Sequence, residues 1–196
     1  MSSNPYTSVT DLVLEGHNVI VTGQAGTGKS HLLCALADLL TQSGKTVQKA
    51  ASTGLAASVI DREDGSCTLH SLCGLKIGQF SDAELRNVAS RHEMMSNLRA
   101  IDVLLLDEVS MLSADIIRQA NLVCCHARRC TSYFGGIQVV VAGDFYQLPP
   151  VTGDHLFAWP EFQRAIPHRI DLNFNYRCAT ESKRKLVTCF GHAFFF

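Results

Sequence analysis

The sequence lacks the features that mark secreted or metal-stapled chains. Its eight cysteines include no C-x-x-C pair, and its first residues do not show the basic-then-apolar pattern of a signal peptide. Paired cysteine spacing is the usual mark of a zinc site or a disulfide framework. We therefore expect an intracellular chain with reduced thiols.

Long apolar runs and an excess of basic charge are also missing. No uncharged apolar stretch approaches the roughly 18 residues needed to cross a bilayer, which predicts a soluble protein without a membrane partner. The formal net charge is −1, so composition gives no general attraction to nucleic acid. Any contact with DNA must then be local.

The sequence does contain enough apolar material for one domain, with 196 residues of which 46% are hydrophobic. Short apolar runs alternate with segments of helical periodicity, some of which begin at capping residues such as Thr53 and Ser113. This alternation predicts an α/β fold, a parallel sheet with helices on both faces. Strands are expected near residues 17–23, 45–51, 101–108, 136–144 and from 168, and one or two surface helices near 81–98.

A phosphate-binding loop follows the first predicted strand. The segment GQAGTGKS fits G-x-x-x-x-G-K-[ST] at every fixed position and precedes a predicted helix, which is the context that the motif requires. We expect Lys29 to meet the β- and γ-phosphates of ATP, and Ser30 to ligate Mg²⁺. A glycine-rich turn without a ligand is the alternative. The predicted nucleotide-binding residues are Gly23, Gln24, Ala25, Gly26, Thr27, Gly28, Lys29 and Ser30.

Two acids end the most apolar predicted strand. Asp107 and Glu108 stand at its carboxyl end, where open α/β sheets place their ligand crevice. A carboxylate suits Mg²⁺, so Asp107 is assigned to the metal. Glu108 is assigned as the base that orients and deprotonates the attacking water. Two solvent-exposed acids would be the ordinary interpretation without the phosphate-binding loop upstream.

Six sequence blocks together resemble Pif-type DNA helicases, relatives of RecD, over about residues 17–177. They are GQAGTGKS, ASTGLAAS, TLHSLCG, DEVSML, GDFYQLPPV and LNFNYR, in that order. The resemblance implies the first RecA-like motor domain of a superfamily-one helicase that moves 5′ to 3′ on single-stranded DNA. It also implies roles in repair, recombination and telomere maintenance, and a nuclear or mitochondrial location in a eukaryote.

The same resemblance assigns further residues. Gln147 is implied as a sensor of the γ-phosphate and Arg177 as an arginine finger, with a surface salt bridge as the alternative for Arg177. Helix caps and ordinary loop positions are the alternative for the implied DNA contacts. Those contacts are Ser52, Thr53, Thr68, His70 and Ser71.

The chain departs from the family pattern at two places. No glutamine precedes Gly23, and Cys178 follows the NYR segment. We expect an N-terminal segment (1–16), a RecA-like ATP-binding domain (17–178) and a divergent tail (179–196), without the second motor domain. The expected activity is nucleotide binding with weak hydrolysis and no autonomous unwinding. The alternative is a nucleotide-gated module that binds DNA or protein.

Two further groups were considered for binding. Trp159, between Phe157 and Phe162, suits a core position better than base stacking. Cys124, Cys125, His126 and Cys130 have a spacing that is poor for four zinc ligands, which favours ordinary thiols.

Overall fold

The computed structural model, which describes residues 5–54, 66–76, 78 and 80–173, contains one six-stranded parallel sheet. The strands are β1 (Val19–Gly23), β2 (Val47–Ala51), β3 (Cys67–Thr68), β4 (Val103–Asp107), β5 (Gln138–Gly143) and β6 (His168–Leu172). Their order in the sheet is β3-β2-β4-β5-β1-β6. This architecture confirms the predicted α/β class.

Helices connect the strands and cover the sheet. The surface helices expected near residues 81–98 are confirmed as α4 (Asp82–Ala89) and α5 (His92–Ala100). The Ser113 hydroxyl caps α6 (Ala114–Arg128) by accepting the N–H of Ile116 at 3.4 Å. The helix expected after Thr53 falls on residues outside the described ranges. The helices are α1 (Pro5–Leu14), α2 (Lys29–Gln42), α3 (Leu69–Leu72), α4 (Asp82–Ala89), α5 (His92–Ala100), α6 (Ala114–Arg128) and α7 (Phe162–Ala165).

The central strand β4 is buried on both faces. Leu104 and Leu106 pack into the larger apolar cluster, together with residues of α4 and α6. Val103 and Leu105 pack into a second cluster with α1 and α2. Successive side chains of a strand point to opposite faces, so a strand covered on both sides needs a continuous apolar run. This explains why the sequence around β4 does not alternate.

Helix α1 was not predicted from the sequence. It covers one face of the sheet with Val9 and Val13, which are almost fully buried, four residues apart and therefore on one side of the helix. The first described residues therefore belong to the core of the domain. The boundary expected between residues 16 and 17 remains a prediction.

Trp159 is a packing residue in this fold. It is 4% exposed and meets Phe134 edge-on, with ring centroids 6.1 Å apart. Cys124, Cys125 and Cys130 are free thiols, and among the described residues no three His, Cys, Asp or Glu side chains are grouped to hold a metal ion. Within the described ranges, no helix has the length and apolar character that a membrane crossing requires.

Candidate nucleotide-binding site

The predicted site residues lie along the carboxyl edge of the sheet. Strand β5 pairs with β1 on one side and with β4 on the other. The loops that follow these three strands carry the phosphate-binding motif, the two acids and Gln147. Carboxyl ends of parallel strands form the ligand crevice of open α/β sheets. The fold thus gathers three segments that are distant in sequence.

Glycines allow the tight course of the phosphate-binding loop. Gly26 and Gly28 have φ values of 85° and 86°, in the left-handed region that side chains disfavour. A Cβ atom at Gly23 would stand 2.7 Å from both the Leu172 carbonyl oxygen and the Thr27 hydroxyl. A side chain at Gly23 would therefore collide with β6 and with Thr27 of the loop itself, so the loop can take this course only with glycine at these positions.

Lys29 begins helix α2 and is 7% exposed. Its Nζ donates to the carbonyl oxygens of Gly23 at 2.6 Å and Gln24 at 3.0 Å. The ammonium is thereby held against the loop backbone. Ser30 follows it in the first turn of α2 and is partly buried. Lysine and hydroxyl therefore both stand at a helix N-terminus, which favours anions through its backbone N–H groups and its dipole.

The two acids differ in their surroundings. Asp107 is 2% exposed, and its Oδ1 accepts the backbone N–H of Glu108 at 2.8 Å. Glu108 has φ 53° and ψ 39°, a left-handed conformation that costs a non-glycine residue about 1–3 kcal/mol. Such strain is concentrated at functional sites, where the surrounding structure imposes it.

The charges that act on Glu108 come from all three segments of the site. Burial is the main cause that raises the pKa of Glu108, and the neighbouring charge of Asp107 raises it further. Asp144 acts in the same direction, whereas Lys29 lowers the pKa. Glu108 is thus within electrostatic reach of the loops after β1 and β5. A carboxylate with a raised pKa is a stronger base than an exposed one.

Two residues of this region were missed by the sequence analysis. The Tyr6 hydroxyl of α1 donates to the Thr27 carbonyl in the phosphate-binding loop. Asp144, at the end of β5, is 3% exposed and accepts a hydrogen bond from the Gln147 side chain. The acid at the end of an apolar strand was the available signal for Asp144. No local sequence signal marks Tyr6, because its partner lies 21 residues away.

The predicted DNA contacts lie at the other end of the same edge. In the register of the sheet, Ala51 pairs with Thr68 on β3 and with Asp107 on β4. Ser52 follows Ala51, and its N–H donates to the Asp107 carbonyl at 3.3 Å. The hydroxyl of Ser52 is buried and has no hydrogen-bond partner in the described part of the chain. This group is therefore adjacent to the acid pair.

Thr68, His70 and Ser71 are brought together by the short helix α3. The Thr68 hydroxyl accepts the N–H of Ser71 at 3.1 Å and so caps the helix. Burial lowers the pKa of His70, and Ser71 is exposed. Thr53 is partly buried, and Arg177 lies outside the described residues.

A glycine loop after β1 that opens a helix, two acids at the end of the buried strand β4 and a polar turn after the intervening strand β5 define a P-loop nucleotide-binding domain with a RecA-like sheet. The chain belongs to the PIF1-like helicase family, whose model matches residues 4–157.

Individual relatives agree with this membership. The ATP-dependent DNA helicase PIF1 of Danio rerio is 40% identical over 150 residues, which are 76% of this chain and 22% of that protein. The crystal structure of the Pif1 helicase from Candida albicans has a TM-score of 0.81 at 35% identity and covers 96% of this chain and 43% of that one.

A crystal structure of the Pif1 helicase from Bacteroides in complex with ADP-AlF3 and ssDNA has a TM-score of 0.76 at 28% identity. The match covers 96% of this chain and 46% of that chain. The present chain therefore spans about a fifth of the Danio rerio relative and less than half of each of these solved chains.

Proposed function

We propose that this chain is the ATP-binding motor domain of a Pif-type DNA helicase, which binds and hydrolyses ATP with Mg²⁺ and contacts single-stranded DNA. One observation carries the proposal. Strand β5 lies between β1 and β4, so Lys29 at the start of α2 and Glu108 after β4 stand at the same edge of the sheet, and the Lys29 charge lowers the pKa of Glu108. A phosphate-binding cation and a candidate base therefore share one crevice.

The roles follow from the chemistry of the side chains. Phosphate oxygens compete with the carbonyls of Gly23 and Gln24 for the Lys29 ammonium, which neutralises charge on the β- and γ-phosphates. Glu108 orients the attacking water and accepts its proton. Gln147 contacts the γ-phosphate, and Arg177 stabilises charge on the transferred phosphoryl group. The residues Gly23 to Gly28 supply the backbone N–H donors of the loop.

The residues present fit a magnesium ion. Asp107 offers a buried carboxylate, and Ser30 offers a hydroxyl in the first turn of α2. Mg²⁺ in nucleotide sites takes one or two protein oxygens and completes its shell with phosphate oxygens and water, so a cluster of three protein carboxylates is not needed. When bound, the ion neutralises charge on the phosphates.

A turnover assay with single-stranded DNA tests the nucleotide proposal. We expect phosphate release to rise when single-stranded DNA is added and to be lost in Lys29→Ala. Lys45→Ala is the matched control, because Lys45 is an exposed lysine that follows α2. Nucleotide affinity is measured in the same proteins, and an unchanged affinity in Lys29→Ala would refute the assignment of the phosphate-binding loop.

We also propose that Ser52, Thr53, Thr68, His70 and Ser71 contact the DNA strand. Hydroxyl and imidazole groups near helix starts suit phosphate contacts that do not depend on sequence. His70→Ala combined with Ser71→Ala should weaken binding of a fluorescent oligothymidine, while His92→Ala on the exposed surface of α5 should not. Equal affinity in all three proteins would exclude α3 from the DNA interface.

A second candidate is a nucleotide-gated module that binds DNA or protein without useful turnover. The hydrogen bond from Ser52 to Asp107 supports it, because this bond links the predicted DNA contacts directly to the acid pair. Tight ATP binding that changes DNA affinity, without DNA-stimulated phosphate release, would favour the module.

Roles in repair, recombination and telomere maintenance, and a nuclear or mitochondrial location in a eukaryote, belong to the same proposal. Their support is family membership. Imaging of the tagged protein in its own cells tests the location.

A further inference from the structure

The turn after β5 is held by one buried carboxylate. Asp144 is 3% exposed, its Oδ1 accepts the backbone N–H of Tyr146 at 3.1 Å, and its Oδ2 accepts the Gln147 side-chain Nε2 at 2.7 Å. The carbonyl of Asp144 also accepts the backbone N–H of Gln147 at 3.1 Å. All three hydrogen bonds therefore tie the turn to Asp144.

Apolar packing holds the start of this turn, where Phe145 packs against the larger apolar cluster and its ring centroid lies 4.7 Å from that of Phe157, but not the segment that carries Gln147. Tyr146 is 92% exposed and Leu148 is 68% exposed, so neither side chain anchors its segment in the core. Hydrogen bonds to a charged acceptor are stronger than those between neutral groups. The conformation of Gln147 therefore depends on Asp144.

The position of Asp144 is itself fixed by close packing. A Cβ atom on the preceding Gly143 would lie 3.0 Å from the Val109 side chain and 3.1 Å from the Ser110 backbone nitrogen. The end of β5 thus lies against the turn that follows Glu108. Asp144 stands on this rigid junction, within electrostatic reach of Glu108.

The carboxylate also determines which way the Gln147 amide faces. An ionised carboxylate can only accept hydrogen bonds, whereas an amide has a donor side and an acceptor side. The nitrogen of the Gln147 amide must then face Asp144, since two oxygen acceptors would repel each other. Asp144 accepts one N–H of that nitrogen, and this hydrogen bond sets the direction in which the second N–H points.

We propose that Asp144 is a positioning residue that orients the Gln147 amide toward the terminal phosphate of a bound nucleoside triphosphate. This inference rests on the proposed nucleotide function and adds a residue to it. Asp144 acts through Gln147, so its effect should depend on whether the terminal phosphate is present.

Affinities for ADP and for a non-hydrolysable ATP analogue, each with Mg²⁺, test the proposal in the full chain. Gln147→Ala should lower the preference for the triphosphate by roughly tenfold, the effect of losing one hydrogen bond to a charged group. Asp144→Asn should lower it by a similar factor, because an amide cannot accept both bonds. ADP affinity should stay unchanged in both variants.

The double variant shows whether the two residues act together. Asp144→Asn combined with Gln147→Ala should lose no more preference than either single variant. Asp154→Asn is the matched control, because Asp154 is an exposed aspartate in the same connection, and it should behave as wild type. Additive losses, or an equal fall in ADP and triphosphate affinity, would overturn the proposal.

A further variant keeps the test decisive if Asp144→Asn does not fold. Gln147→Glu keeps the shape of the side chain but sets a second carboxylate against Asp144, so it should lose the triphosphate preference as well. Retention of the preference would overturn the positioning role. If wild type binds neither nucleotide, the proposed function is refuted and the inference with it. If wild type binds both and Asp144→Asn keeps the preference for the triphosphate, the inference alone is refuted.

Discussion

The half-buried side chain of Glu108 lies beside Asp107 and within electrostatic reach of Asp144, so its negative charge opposes folding. Burial is the main reason why its pKa in the folded chain exceeds the ordinary value of 4.5. The folded state then binds this proton more tightly than the unfolded state does. The contribution of Glu108 to stability is therefore greatest below pH 4.5 and is lost as the pH rises through the higher folded pKa.

Glu108→Gln should consequently raise the melting temperature near pH 7 in chelator, because it removes a charge that is unfavourable there. The gain should shrink as the pH falls toward the ordinary pKa of the carboxyl. Thermal melts of wild type and variant across pH 4.5 to 8 measure this difference, with Glu93→Gln on the exposed surface of α5 as the control. A variant less stable than wild type at pH 7 would contradict this account of the site.

Single residues also show what a sequence can and cannot predict. Lys29, Ser30, Asp107 and Glu108 lie in two short contiguous motifs, so their positions could be predicted before the fold was known. The structure places both motifs at one edge of the sheet. Tyr6 and Asp144 matter through contacts that arise only when a helix packs on the loop or a turn closes on itself. No local pattern encodes the contact of Tyr6, whereas the partners of Asp144 lie two and three residues further along the chain.

At the scale of elements, the end of α5 depends on a side chain from α6. The last carbonyls of a helix have no partner within the helix and need one from elsewhere. Arg128 provides donors for this end and for the loop before β5. Its guanidinium donates to the carbonyl oxygens of Leu98 at 2.9 Å, Arg99 at 3.1 Å, Ile101 at 2.8 Å and Gly135 at 2.8 Å.

Arg128→Ala should lower the free energy of unfolding by about 2–3 kcal/mol, because several partly buried carbonyls lose a charged donor together. Arg118→Ala, on the same helix, should cost no more than about 0.5 kcal/mol, since the ion pair of Arg118 with Asp82, at 3.9 Å, is exposed at the surface. Urea unfolding of both variants gives the comparison. Equal losses would show that the Arg128 contacts do not stabilise the end of α5.

The elements that escaped prediction have little sequence signal of their own. Strand β3 has two residues and exists through its pairing with β2. Helix α1 has apolar residues, but Val9 and Val13 become informative only when the sheet face that they cover is known. The strands β4 and β5 were predictable, because burial on both faces demands a continuous apolar sequence. Burial therefore decides which elements can be predicted from the sequence.

At the scale of the whole molecule, the site is formed by segments that are distant in sequence and that the sheet brings together. The loops after β1, β4 and β5 approach each other only in the folded chain, and the candidate metal ligands Ser30, in the first turn of α2, and Asp107, the last residue of β4, stand beside two of them. A ligand that contacts all three loops binds the folded state and not the unfolded one. Its binding free energy then adds to the stability of the domain.

A non-hydrolysable ATP analogue with Mg²⁺, at one hundred times its dissociation constant, should therefore stabilise the chain by about 2.7 kcal/mol, or roughly 5 to 10 °C in melting temperature. Because Ser30 and Asp107 are proposed to hold the ion, EDTA should reduce the shift in wild type. In Ser30→Ala the shift with Mg²⁺ should already be small, and EDTA should reduce it little further. Ser43→Ala, at the other end of α2, is the control and should respond as wild type does. A melting-temperature shift that EDTA does not change in wild type, or identical shifts in the two serine variants, would exclude Ser30 from the magnesium site.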